Sequence, residues 1–235
     1  MSNINSQIEA YTVARDIKAH EVELLEIIKK DFPDFTGRVL DIGCANGSFI
    51  ELMARTYQHA EYTGFDIAEK LIDVANKKEI ASKAEFIVSD ALGFKPENKF
   101  DIIVASGVLS IFDDFSVPLE KWLSWLSDSG KLYIFGRFNS EDIDTIIHFR
   151  NNSVEPANWE GGLTSYSIKT VLSYLNRRGY DGIFNRFHLP IGLVKDPKNP
   201  IRTYTVVTND DRKIVLNGAN IVAEHFFLTI SNIGR

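Results

Sequence analysis

Cysteine is almost missing from this sequence: Cys44 stands alone among 235 residues, so no disulfide can form within the chain. That usage is compatible with a reducing compartment, and a cytoplasmic location is the expectation. Long apolar runs are missing too. The richest, 102–112, spans 11 residues and is broken by two serines and a glycine, well short of the roughly 18 that a membrane span needs. The segment 1–8 has neither the basic n-region nor the apolar h-region of a secretory signal. Positive charge is scarce where most of the chain lies. Residues 1–136 hold 14 Lys and Arg against 22 Asp and Glu, which disfavours a nucleic-acid surface there. Residues 137–235 reverse the balance, with 12 against 10, and 8 of the 12 cations are arginine.

What remains is ordinary globular material, 44% hydrophobic and 25% charged in 26.6 kDa. Disordered, collagen-like and disulfide-scaffold classes are thereby excluded, and the chain is long enough to bury a core without staples. The spacing predicts a helix over 17–30, closed by Pro33 and Gly37, then a strand at 38–42 running into a glycine-rich turn and a helix over 48–57. The unit repeats: strand 61–66 and helix 68–78, strand 84–88, a nearly all-apolar strand 100–105, a helix over 117–127, and a strand at 131–136. Strands alternating with helices predict a parallel sheet with right-handed crossovers and helices on both faces. Beyond it come an irregular polar stretch, 139–165, with a short helix expected at 141–150; a helix over 165–178; a strand at 182–188; a β-hairpin across 203–216; and a last strand, 222–230. No linker separates two units. One domain is expected: an N-terminal helical cap over 1–35, a core over 36–136, and an elaboration over 137–235 that completes the sheet.

The turn Asp41-Ile42-Gly43-Cys44-Ala45-Asn46-Gly47 carries the most information. Gly43 and Gly47 let backbone approach a ligand, and the helix that follows presents unpaired N–H groups. The glycine spacing is G-x-x-x-G and not the G-x-G-x-x-G of a dinucleotide site, which speaks against an NAD-dependent reductase. Asp41 sits at the strand end, where a pyrophosphate is repelled and an ammonium or sulfonium attracted. Asp66 ends the next strand 25 residues on, placed to accept from ribose hydroxyls, and Asp90 ends the third, placed to accept from an exocyclic amine. Ile67 and Leu92 offer apolar faces to a purine.

These segments resemble motif I and the following motifs of the class I S-adenosylmethionine-dependent methyltransferases: 39–47 with Asp41 and Gly43, then Phe65-Asp66, Ser89-Asp90-Ala91 and 100–104. The resemblance covers residues 36–136. It implies a Rossmann-like α/β fold with seven strands in the order 3-2-1-4-5-7-6, the last antiparallel, and S-adenosylmethionine as cofactor with S-adenosylhomocysteine as product. It also implies that Asp41 and Gly43, with the turn residues Cys44, Ala45 and Gly47, hold the methionine end. Asp66 would take the ribose, Asp90 and Ala91 the adenine between the apolar Ile67 and Leu92, and Ser106 the methionine amine through its carbonyl. Tyr11, ahead of the first strand, would close over the methionine. Ala45 departs from the family's usual glycine.

The acceptor site is expected beyond the ends of strands four and five. His188 and His148 are the candidate bases, and Arg137, Trp159 and Tyr166 the candidate acceptor contacts, Arg137 for an acidic group and the two aromatics as a wall for a sugar or flat ring. His20, His59 and His225 read as structural. Asp113 and Asp114 read as loop or cap residues, so no metal is expected. Residues 105–108, Ala-Ser-Gly-Val, lack the Asn/Asp-Pro-Pro-aromatic turn of enzymes that methylate base amines. The segments 202–208 and 222–228 are similar in character to small methyltransferases of bacterial polysaccharide gene clusters. The expected activity is O-methylation of a sugar or other hydroxyl-bearing small molecule by a monomer or homodimer. The alternatives are a tRNA or protein methyltransferase and a non-catalytic S-adenosylmethionine-binding module.

Overall fold

The computed structural model describes residues 17–152, 155–197, 199 and 201–234. Seven strands form one path: β1 (Arg38–Ile42), β2 (Glu61–Asp66), β3 (Ala84–Val88), β4 (Phe100–Ser106), β5 (Leu126–Asn139), β9 (Tyr180–Phe187) and β12 (His225–Asn232) lie in the order β3-β2-β1-β4-β5-β12-β9. The first five are parallel, and β12 is antiparallel to both β5 and β9. That is the order 3-2-1-4-5-7-6 expected from the sequence.

The strands pack on both faces because their side chains alternate and neither face is wet. One face carries α1 (Ala19–Asp31), α2 (Ser48–Thr56) and α3 (Glu69–Ala75), whose Leu24, Ile28, Ile50, Met53 and Ile72 meet Val39, Ile102, Val104, Tyr133, Phe135 and Phe227. The other carries α4 (Ser116–Ser124) and α5 (Ile168–Asn176), whose Leu119, Trp122, Val171 and Leu175 meet Leu40, Ile103, Leu132, Ile134 and Leu228. The C-terminal end of α1 is fixed to β5 by the Tyr133 hydroxyl and the Lys131 ammonium, both 2.7 Å from the Asp31 carboxylate. Its N-terminal end therefore lies toward the carboxyl edge of the sheet, where ligands of open α/β folds bind.

Two expectations need correction. The helix predicted over 117–127 stops at Ser124, and residues 126–130 already belong to β5 through a register shift against β4. The Trp125 carbonyl accepts from Phe100 N–H and the Ser127 hydroxyl bonds Asp101, so the chain is drawn into the sheet early. No helix forms over 141–150. Asn139 bonds the backbone of Glu141 and Ile143, the Asp144 carboxylate takes the Ser167 N–H at 2.6 Å, and Thr145 bridges Ser165. Side chains that bond nearby backbone outcompete the helix here. The stretch instead forms β6 (Phe149–Arg150), paired with β7 (Trp159–Glu160), while β8 (Tyr166–Ser167) joins the end of β5. The hairpin is present as β10 (Tyr204–Val207) and β11 (Lys213–Leu216), between β9 and β12 in the chain.

Candidate functional site

The turn after β1 is built from left-handed residues: Gly43 at φ +71°, Ala45 at +49° and Gly47 at +71°. A Cβ on Gly43 would lie 2.7 Å from the Val108 side chain, and one on Gly47 2.7 Å from the Phe86 ring, so only glycine satisfies both conformation and space. The N–H groups of Gly43 and Cys44 both donate to the Phe65 carbonyl, at 2.9 and 3.0 Å, and tie the turn to β2. Asn46, buried, accepts from the N–H and hydroxyl of Ser48 and caps α2 in place of the side chain that Gly47 lacks. Asp66 is the keystone between two turns: one carboxylate oxygen takes the Ala45 N–H at 3.0 Å, the other the Ala68 N–H at 2.9 Å. Ala45 thus keeps its strained backbone because Asp66 holds its N–H.

A cleft opens on this turn, lined by Asp41, Gly43, Cys44, Ala45, Asn46 and Ser48, by Ser106 from β4, and by Lys18, Glu21 and Leu24 from α1. Its electrostatics are lopsided. Asp41 is buried at 4% exposure, and its carboxyl is pushed well above the usual range by burial first, then by Glu21 and Asp66, with Lys18 opposing. Glu21, itself buried, accepts the Lys18 N–H at 2.9 Å. Three carboxylates acting on one another around a closed space favour a ligand that brings positive charge. The Cys44 thiol is pushed up by burial and by Asp41 and Asp66, and its Sγ lies under β2 against Gly64, so it is a packing group and no nucleophile.

The remaining strand ends fall beside the cleft. Ile67, following Asp66, is 61% exposed, an apolar surface left open at the sheet edge. Asp90 spends one oxygen on its own turn, accepting from Leu92 N–H at 2.8 Å and Gly93 N–H at 2.6 Å; its second oxygen carries no bond among the described residues. The Ala91 carbonyl accepts from the Trp122 indole at 3.1 Å, which fixes the loop.

Residues 34–170, more than half of the chain, match the family described as "Methyltransferase domain". The chain belongs to this family. Its methyltransferase domain is similar to the malonyl-(acyl-carrier protein) O-methyltransferase of Priestia megaterium, at 23% identity over 137 residues covering 58% of this chain and 50% of that protein. The chain spans about half the length of the curated relatives it matches. Among solved structures, the fold matches the plantazolicin methyltransferase BpumL in complex with SAH, with TM-score 0.62, 18% identity, and 97% of this chain and 90% of that chain covered. It also matches the Burkholderia thailandensis 1,6-didemethyltoxoflavin-N1-methyltransferase, with TM-score 0.64, 12% identity, and 98% and 86% covered.

The residues expected at the acceptor end scatter more. His148 pairs with Asp113, Nε2 to Oδ2 at 2.8 Å, both about half exposed, with Gly161 packed against the pair. Asp114 caps α4 by accepting the Ser116 N–H, and these bonds hold its carboxyl low. His188 follows β9 and is exposed. Tyr166 and Trp159 are not brought together as an aromatic wall. Tyr166 is buried, its hydroxyl donating to the Phe112 carbonyl and its ring 4.6 Å from Phe115, because β8 is drawn onto β5; Trp159 is 68% exposed under the Arg150 guanidinium. Arg137 lies in β5 between the buried Gly136 and Phe138, its guanidinium desolvated. Tyr11 lies outside the described residues.

Sequence reasoning missed Lys18, Glu21 and Asn46 at the cleft and Asp113 beside His148. The helix carrying Lys18 and Glu21 was legible, but which end of it meets the sheet edge depends on the distant Asp31–Tyr133 contact. Among the described residues no group of three or more His, Cys, Asp or Glu is arranged for a metal, and no helix is long and apolar enough to cross a membrane.

Proposed function

We propose that the chain is an S-adenosylmethionine-dependent methyltransferase that methylates an oxygen of a small, hydroxyl-bearing acceptor such as a sugar. The observation that carries the cofactor is the acidic cleft around the buried Asp41, whose carboxyl is raised by burial and by Glu21 and Asp66 and so favours a cationic ligand. The Gly43 and Gly47 cradle leaves that space open next to backbone. S-adenosylmethionine fits both features. Asp41 and Glu21 meet its ammonium and sulfonium side, the Ser106 carbonyl the amine, Asp66 the ribose hydroxyls, Ile67 and Leu92 the purine faces, and Asp90 with its unspent oxygen the adenine amine. Oxygen as the target agrees with the names of the curated relatives, which are O-methyltransferases.

The cofactor supplies an activated methyl on a sulfonium, and the transfer is an in-line displacement. The chain's own work is positioning and exclusion of water. A hydroxyl acceptor must lose its proton, and His148 is the proposed base, its imidazole oriented by the Asp113 carboxylate. A carboxylate on one ring nitrogen fixes the tautomer and the orientation of the imidazole. The test is a radiolabelled-methyl assay with nucleotide sugars, hydroxy acids, glycans and tRNA. Label is expected in a small molecule; label in RNA alone would overturn the acceptor class.

A further inference from the structure

At the carboxyl edge, Arg137 of β5 stands in register with His225 of β12, and His225 with Phe187 of β9. Alternation along β5 puts Arg137 on the face of Tyr133 and Phe135, the face covered by α1. Phe135 is sandwiched there: the His20 ring from α1 stacks on it at 4.3 Å with 5° between planes, and His225 lies 5.6 Å away at 16°. The result is a buried aromatic stack with a guanidinium beside it.

Among the described residues that guanidinium has no counter-ion. Nη1 of Arg137 is buried without a hydrogen-bond partner, and no described carboxylate lies within ion-pair distance. The carboxylate nearest in sequence across the strand pair, Glu224, is engaged elsewhere, 2.6 Å from Arg186 and 2.7 Å from the Ser140 hydroxyl. The two imidazoles cannot compensate it, since they carry no negative charge. Burial first, then Lys18 and His225, brings His20 down to about 3; burial, then Arg137, brings His225 down to about 4. A desolvated donor left unpaired is costly, and folded proteins retain few of them. The position is also telling. Ser106, which lines the cofactor cleft, is in register with Phe135, two residues before Arg137. The two backbones are therefore roughly 8 Å apart, within the length of a small molecule.

We propose that Arg137 binds an anionic group, a carboxylate or phosphate, on the methyl acceptor, so that the substrates are small acids. This rests on the methyl-transfer reading and narrows it. Arginine suits the task because its planar fork meets either oxyanion with two parallel bonds.

The test uses the full chain loaded with S-adenosylhomocysteine, titrated with malonate and with inorganic phosphate, alongside Arg137→Met and Arg137→Lys. At least one anion is expected to bind wild type, tenfold or more tighter than Arg137→Met, with Arg137→Lys between them and the affinity for S-adenosylhomocysteine the same in all three. Which probe binds tells carboxylate from phosphate. The anion-free Arg137→Met protein is expected to melt no lower than wild type, because it loses an unpaired charge; a guanidinium with a merely structural role would give a lower melting temperature. Equal anion affinity in wild type and Arg137→Met, or S-adenosylhomocysteine binding with no anion binding at all, would overturn the proposal. Absence of S-adenosylhomocysteine binding would instead remove the methyltransferase reading beneath it.

Discussion

The carboxyl edge of the sheet has two ends with opposite character. Around β1 and β2, Asp41, Glu21 and Asp66 crowd together and raise the Asp41 carboxyl. Around β5 and β12, Arg137, His20 and His225 are partly buried with no paired acid among the described residues, and each histidine is held neutral. Both ends are electrostatically unfinished, in opposite senses. Neither arrangement favours the empty protein, since a buried charge facing like charge or nothing weakens folding. On the proposed function, one end is completed by the cationic cofactor and the other by an anionic acceptor.

Substitutions can break that contrast, beginning with the largest effect. Asp66→Ala removes the anchor of both Ala45 and Ala68 along with the proposed ribose contact. Cofactor affinity measured by calorimetry should fall by about 3 kcal/mol, near the top of the range for charge-assisted bonds. Asp41→Asn separates stability from binding. Without the opposed carboxylate the cofactor-free protein should gain about 1 kcal/mol at neutral pH, read from denaturant unfolding, while cofactor affinity falls about tenfold.

The same group sets a pH dependence. Because the folded state holds the Asp41 proton more tightly than the unfolded chain does, its contribution to stability falls as pH rises through the interval between the two pKa values. Cofactor affinity should move the other way, strengthening as Asp41 ionises; opposite slopes from unfolding and calorimetry at several pH values check it.

Asp113→Asn probes the region between the two ends. The pair is half exposed, so stability should change by no more than about 0.5 kcal/mol, while kcat on a hydroxyl acceptor drops tenfold or more without a change in cofactor affinity. Ala45→Gly is the smallest test: relieving the +49° φ should stabilise the protein by about 1 kcal/mol and leave binding unchanged.

The two ends also differ in how far the sequence discloses them. The acidic end is local: Asp41 and the turn are consecutive, Asp66 closes a strand whose apolar run and following helix are visible in the sequence, and Asp90 stands two residues past the end of β3. The strand segments and the hairpin were legible for the same reason, whereas the strand order followed from the family resemblance. The cationic end is assembled from a distance. His225 meets Arg137 only through antiparallel register, and His20 meets Phe135 only because Asp31 fixes α1 on β5. His20 and His225 read as structural in the sequence, and the structure stacks both on Phe135 beside Arg137. The segment 141–150 shows the converse failure. Its spacing suggests a helix, but bonds from Asn139 and Asp144 to residues along and beyond it decide the outcome. The aromatic wall failed similarly, since the pairing of Tyr166 with β5 buries one of its two rings.

Isothermal calorimetry of the whole chain with S-adenosylhomocysteine and, separately, with NAD tests the central claim most directly. The account predicts one S-adenosylhomocysteine site whose binding releases protons as the ligand's ammonium draws Asp41 into its ionised form, and no binding of NAD. Heat from NAD with none from S-adenosylhomocysteine would contradict it.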